Sequence, residues 1–89
     1  MQVKDKRVVV TGAASGIGKA LCEAFNEAGA KSVVCVDMNL AGATETANDI
    51  GGLAVEANVG KEEDIINVIE QANKYSEGID IFCSNAGIG

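Results

Sequence analysis

The string Thr11-Gly12-Ala13-Ala14-Ser15-Gly16-Ile17-Gly18 follows directly on the apolar run Val8-Val9-Val10. Between a buried strand and a helix, such a string can hold a phosphate group through its backbone alone. Gly12 suits a tight turn, Gly16 lets the backbone approach a diphosphate with no Cβ in the way, and Gly18 lets the next helix lie close to the sheet. Unpaired N–H groups of the first helical turn, around Gly16, Ile17 and Gly18, would face the anion. Their dipole adds about 0.3–1 kcal/mol at exposed sites and up to ~2 kcal/mol in sheltered geometry. Ser15 either offers a hydroxyl to the diphosphate or caps the helix, and the two roles are compatible. The spacing departs from Gly-x-Gly-x-x-Gly, and no Gly-Lys-Ser/Thr closes it, so the triphosphate loops of kinases and GTPases lose support.

A second chemical signal is Asp37, which closes another apolar run nineteen residues after Gly18. A carboxylate at that place can accept hydrogen bonds from both hydroxyls of a ribose. A 2′-phosphate there would meet the carboxylate with a repulsion of about 4 kcal/mol per charge pair at ~4 Å and an effective dielectric near 20. Ala14, Met38 and Asn39 bring no Arg or Lys to offset it. Asp37 and Met38 are therefore expected beside the ribose, with NAD rather than NADP as the cofactor.

Other chemistries find little material. The chain contains no His, which removes His-based acids, triads and metal sites. Cys22, Cys35 and Cys83 are odd in number, far apart in sequence and form no Cys-x-x-Cys, so neither a disulfide framework nor a metal site is expected. They are expected to be reduced thiols of a cytoplasmic protein, packed as small hydrophobes.

The elements that must position these residues follow from the hydrophobic pattern. The apolar runs within 7–10 and 32–36 suit strands buried on both faces of a parallel sheet, and shorter apolar stretches at 53–57 and 79–83 give a third and a fourth strand. Between them lie helix-period segments: Ile17, Ala20, Leu21, Ala24, Phe25 and Ala28 in the first, Leu40, Ala43, Ala47 and Ile50 in the second, Ile65, Val68, Ile69 and Ala72 in the third. Gly29, Gly51-Gly52 and Gly78 are placed to stop them, and Glu62, Glu63 and Asp64 suit the positive end of the third helix. The fold class is thus α/β, with the order βαβαβαβ. Right-handed crossovers arrange this as part of a doubly wound parallel sheet with strand order 3-2-1-4. Gly12, Asp37, Asn58 and Asn85 then all fall just past the carboxyl end of a strand, where ligands of such sheets bind.

The chain is 89 residues long, 47% hydrophobic and 22% charged, which is one domain with one modest core at most. Seven Lys and Arg against thirteen Asp and Glu leave a net charge of −6. Neutralising phosphates along a nucleic acid needs a basic surplus, so no nucleic-acid partner and no anionic membrane surface are expected. The apolar runs fall far short of the ~18 residues of a spanning helix, and the polar start at Met1 carries no secretory pattern.

At the glycine string the sequence resembles the short-chain dehydrogenase/reductase family, whose fingerprint Thr-Gly-x-x-x-Gly-x-Gly is matched completely. Two further motifs carry the resemblance: Asn85-Ala86-Gly87 matches the family's Asn-Ala-Gly after the fourth strand, and Asn58-Val59 stands where the family has Asp-Val. The resemblance implies an NAD(P)-binding Rossmann fold in which Asn58 and Val59 border the adenine, and the amide oxygen of Asn58 can still accept from the adenine amino group. It further implies that Asn85 ties neighbouring strands together and that the backbone at Ala86 and Gly87 approaches a ribose.

Family members transfer hydride with a catalytic Ser and a Tyr-x-x-x-Lys pair located after Asn-Ala-Gly. No residue of this chain fills those roles, because Tyr75 is followed four positions later by Ile79. Residues 1–89 are therefore expected to be the N-terminal part of a single dinucleotide-binding domain, ending before the catalytic segment and inactive alone. The implied partners are NAD(H) and, through the missing part, a small alcohol or carbonyl substrate, within a homo-oligomer. Two other readings stand beside this one. A non-catalytic nucleotide-binding or interaction module would end where this sequence ends, and a methyltransferase fragment would bind S-adenosylmethionine and not NADH.

Overall fold

The computed structural model describes residues 2–14 and 16–85. Among them, β1 (Arg7–Thr11), β2 (Ser32–Asp37), β3 (Leu53–Glu56) and β4 (Ile81–Cys83) form one parallel sheet in the order β3-β2-β1-β4. α1 (Gly16–Glu27), α2 (Leu40–Ile50) and α3 (Glu62–Ser76) make the crossovers. The doubly wound arrangement and strand order expected from the pattern are both present.

Why the apolar runs do not alternate is visible at β1. Val8 and Val10 face a core shared with Cys22 of α1, Cys35 of β2 and Ala47 of α2, while Val9 faces the other side, with Val34, Val55, Val68 and Ala72. Both faces are covered by helices, so all three valines are buried. Full burial of a side chain of this size contributes about 1.5–3 kcal/mol. In register, Val9 lies opposite Val34 on one side and Phe82 on the other.

Several boundaries differ from the sequence reading. β1 extends one residue beyond position 10: Thr11 pairs with Val36 and is fully buried at the strand's carboxyl end. β2 runs on to Asp37, which pairs with Glu56. β3 stops at Glu56, one residue early, with Ala57 donating its N–H to the Asp37 carbonyl at 3.1 Å. β4 begins at Ile81 instead of position 79, because Asp80 spends its backbone and its side chain on Arg7.

The buried face of α1 is also rotated from the expected stripe. Gly18 and Cys22 are buried, with Leu21 and Phe25 packed at the edges, whereas Ile17, Ala20, Ala24 and Ala28 are exposed. The close approach at Gly18 turns that side of the helix inward, and it carries Ile17 out to 71% exposure. On α3 the core contacts come from Val68 and Ala72, and Ile69 lies at the exposed rim. Gly29 and Gly51, both at positive φ, follow the ends of α1 and α2 as expected; α3 is closed by Glu77 in the left-handed region, one residue before Gly78.

The cysteines do not lie apart in space. The Cys22 and Cys35 sulfurs are 3.7 Å from each other inside the core, and all three cysteines are free thiols. Among the described residues no helix is long and apolar enough to cross a membrane, and no group of three or more His, Cys, Asp or Glu could hold a metal ion.

Candidate functional site

At the carboxyl ends of β1 and β2 the backbone of the glycine string is held by the second βα unit. The chain leaves β1 at Thr11 and turns at Gly12, whose φ of +71° is left-handed. Ala13 donates its N–H to the Val36 carbonyl at 3.0 Å. The next peptide unit is gripped at both of its polar ends: the Ala13 carbonyl accepts from the Thr46 hydroxyl at 2.9 Å, and the Ala14 N–H donates to Asp37 Oδ2 at 3.0 Å. Asp37 Oδ1 accepts the Asn39 N–H at 3.0 Å, and Asn39 Oδ1 in turn caps α2 by accepting the Gly42 N–H at 3.1 Å. Each Asp37 oxygen accepts one of these bonds and has room for two, so each keeps a lone pair for an outside donor.

The opening of α1 supplies the anion-binding half. Gly16 sits at φ +59°, and nothing lies within 4 Å of where its Cβ would be. Apart from its chain neighbours, the space on that side of the backbone is open. The first turn of α1 holds no carboxylate, in contrast to α3, which carries Glu62, Glu63 and Asp64 in its first turn. The positive end of α1 is left uncompensated by its own acidic side chains, and a bound anion is favoured there. Gly18 packs differently from its expected contact: the atom against it is the Gly12 carbonyl oxygen, at the start of the loop.

Beyond Asp37, an open depression of about 350 Å³ is lined by Met38, Glu56, Ala57, Asn58, Lys61 and Asp64. Asn58 is set by two local bonds: its N–H donates to Asp64 Oδ2 at 2.8 Å, and its Oδ1 accepts the Gly60 N–H at 2.9 Å. Val59 is half-buried beside it. At the β4 end, Asn85 donates its backbone N–H to Thr11 Oγ1 at 2.9 Å, which joins the ends of β1 and β4.

The structure thus brings Gly12, Gly16, Gly18, Asp37 and Asn85 together at one end of the sheet, with exposed Ile17 beside Gly16 and with Met38, Asn58 and Val59 at the adjoining depression. Ser15, Ala86 and Gly87 lie outside the described residues. Tyr75 is elsewhere, on the last turn of α3, where its hydroxyl meets the Gly51 carbonyl at 3.3 Å near the amino end of β3. The sequence reading missed Thr46, Glu56, Lys61 and Asp64. Glu56 and Lys61 flank the Asn58 turn in the chain and could have been found from that position alone. Thr46 stands among the small residues of α2 and gave no signal.

Known proteins share both sequence and fold. A family model described as short chain dehydrogenase matches residues 6–89. An NAD-dependent glycerol dehydrogenase of Listeria innocua serovar 6a is 40% identical over 88 residues, covering 97% of this chain and 34% of the relative. Tetrahydroxynaphthalene reductase of Pyricularia oryzae is 35% identical over 95 residues, covering 97% and 32%. The crystal structure of 3-ketoacyl-(acyl-carrier-protein) reductase from Brucella melitensis complexed with NADH superposes with a TM-score of 0.86 at 39% identity, over 90% of this chain and 34% of that one. The chain spans about a third of the length of these two curated relatives.

Proposed function

The chain belongs to the short-chain dehydrogenase family, and from that premise we propose that it is the NAD-binding portion of an oxidoreductase that moves hydride between nicotinamide and an alcohol or carbonyl substrate. The observation that carries the reading is the Asp37 carboxylate, bonded to the Ala14 N–H of the glycine string, two residues before the open backbone at Gly16. One end of the sheet so offers an anion site and a ribose acceptor joined through the Ala14 N–H. The relatives' names support a nicotinamide cofactor, since one is an NAD-dependent dehydrogenase and another is a reductase complexed with NADH.

In this proposal the backbone at Gly12, Ser15, Gly16, Ile17 and Gly18 holds the diphosphate, Asp37 and Met38 the adenosine ribose, and Asn58 and Val59 the adenine. Asn85 ties the ends of neighbouring strands together, and the backbone at Ala86 and Gly87 approaches a ribose. The bound dinucleotide supplies the hydride-carrying ring, and this chain's residues bind and orient it. The negative charge of Asp37 disfavours a 2′-phosphate, which selects NAD over NADP. Lys61 is the one cation lining the depression among the described residues, and Glu56 and Asp64 line it too, so the surroundings of Asp37 remain net negative. Residues 1–89 form, on the same proposal, the N-terminal part of a single dinucleotide-binding domain, with no catalytic residue among them.

Titration of the protein with NADH, NADPH and S-adenosylmethionine, followed by nicotinamide fluorescence and by calorimetry, tests the reading. NADH is expected to bind more tightly than NADPH, with no binding of S-adenosylmethionine. Binding of S-adenosylmethionine alone would overturn it.

A further inference from the structure

Thr46 lies on α2, remote in sequence from the glycine string, and its side chain is 1% exposed. A helical Thr commonly turns its hydroxyl back to the carbonyl four residues earlier. Here that acceptor, the Gly42 carbonyl, is at 3.2 Å, while the Ala13 carbonyl is nearer, at 2.9 Å. A hydroxyl has one proton, and the shorter bond crosses to the loop. Contact between α2 and the loop is close in a second way: a Cβ at Gly42 would come within 2.7 Å of the Ala14 Cβ.

We propose that Thr46 is a positioning residue for the dinucleotide: its hydroxyl fixes the plane of the Ala13–Ala14 peptide, whose other end holds Asp37. That peptide is rigid and planar, so a bond to its oxygen also sets the direction of its N–H. The N–H sets Asp37 Oδ2, and the same peptide leads the chain into Gly16 and α1. One buried hydroxyl therefore orients the ribose carboxylate and the diphosphate loop together. Loss of the donor leaves the Ala13 carbonyl, on a residue 0% exposed, without its side-chain partner and frees the peptide to rotate. This inference rests on the dinucleotide reading given above.

The test compares Thr46→Val, which keeps shape and removes the donor, with Thr46→Ser, which keeps the donor and removes a methyl group. Dissociation constants for NADH, ADP-ribose and adenosine are measured by calorimetry on each, with thermal melting to confirm folding. Thr46→Val is expected to weaken NADH and ADP-ribose by about three- to tenfold, while Thr46→Ser stays within about twofold of the parent. Adenosine, which has no diphosphate, is expected to lose less affinity than ADP-ribose in Thr46→Val. The opposite order, with Val like the parent and Ser impaired, would show that Thr46 only fills space and would overturn the proposal. Should Thr46→Val not fold, Thr46→Ser against Thr46→Ala makes the same comparison, and loss of NADH affinity in the Ser variant equal to that in Ala is the overturning result. Failure of the parent protein itself to bind NADH would defeat the dinucleotide reading, and it is seen before any variant is made.

Discussion

The α-carbon of Gly18 rests against the carbonyl oxygen of Gly12, so that a methyl group at position 18 would overlap that oxygen and also meet Asn85 Nδ2 at 3.0 Å. The start of the loop and the first turn of α1 are thus in backbone contact, with the end of β4 alongside. Neither backbone neighbour is a flexible side-chain tip, so relief requires moving the helix or the loop.

Gly18→Ala is accordingly expected to destabilise the fold by about 1–3 kcal/mol, the usual range for a forced fit in a packed site. It should also weaken NADH, because the displaced first turn carries the N–H groups assigned to the diphosphate. Gly16→Ala meets no atom but must hold a positive φ, and is expected to cost only about 1 kcal/mol. Urea unfolding of both variants checks the order; equal stabilities for Gly18→Ala and the parent would contradict the contact.

Asp37 makes the second prediction. Its carboxylate faces the proposed ribose site with two N–H partners, from Ala14 and Asn39. Asp37→Asn removes the charge while leaving one oxygen as acceptor. The ratio of NADPH to NADH affinity is expected to rise by about tenfold or more, since tenfold corresponds to ~1.4 kcal/mol, less than the repulsion of a nearby charge pair. Asp37→Ala should shift the ratio the same way but bind both cofactors more weakly, having released the Ala14 N–H. Competitive titration with the two reduced cofactors reads both effects, and an unchanged ratio in Asp37→Asn would remove Asp37 from the specificity argument.

Much of this architecture was legible because it is written locally. A run such as Val8-Val9-Val10 has a single stable place, a strand covered on both faces, and the glycine string directly after it marks where the chain must turn. The stripe on α1 was misread because its alanines bury too little surface to fix a face. Gly18, with no hydrophobic side chain at all, decided the orientation through contact. Thr46 and Ala13 are 33 residues apart, and Arg7 and Asp80 are 73 apart, so their partnership exists only once the sheet has assembled. The meeting of Cys22 and Cys35 was hidden for the same reason. No spacing rule places a helix residue over a strand residue whose register is set by a third element.

That thiol pair leads to a third prediction. Both side chains are 0% exposed in the core between α1 and the sheet, and the hydrogen bond to Cys35, followed by burial, pushes the Cys22 thiol up. Thiolate is the reactive form, so Cys22 should resist alkylation in the native state; the same hydrogen bond lowers the Cys35 thiol, and there it is complete burial that keeps the reagent out. Cys83, on β4, is partly exposed. Iodoacetamide labelling followed by peptide mass mapping is expected to modify Cys83 first, with Cys22 and Cys35 at least about tenfold slower until denaturant opens the core. Equal rates at all three sites in native buffer would mean that the α1 side of the core is open.

At the opposite end of the sheet from the glycine string, Arg7 and Asp80 fasten the start of β1 to the approach to β4. The guanidinium meets both carboxylate oxygens, Nε to Oδ2 at 2.8 Å and Nη2 to Oδ1 at 2.9 Å, while the Arg7 N–H donates to Oδ2 at 2.8 Å and Nη1 reaches the Glu77 carbonyl at 2.9 Å. The Arg7 guanidinium bonds, followed by its backbone N–H, hold the Asp80 carboxyl well below the usual carboxylate range. Because the folded value is depressed, the stabilisation is complete above the unfolded value of ~3.9 and is lost as pH falls towards the folded one. Asp80→Asn should therefore lower stability near neutral pH by a modest amount, as expected for a pair about 30% exposed, and the gap to the parent should narrow below about pH 4. Urea midpoints of parent and variant across acid pH measure that convergence. NADH affinity should be the same in both, since the clamp lies at the far end of the strands from Asp37. A gap that stayed constant down to about pH 2 would assign the loss to packing instead of to the ionised pair.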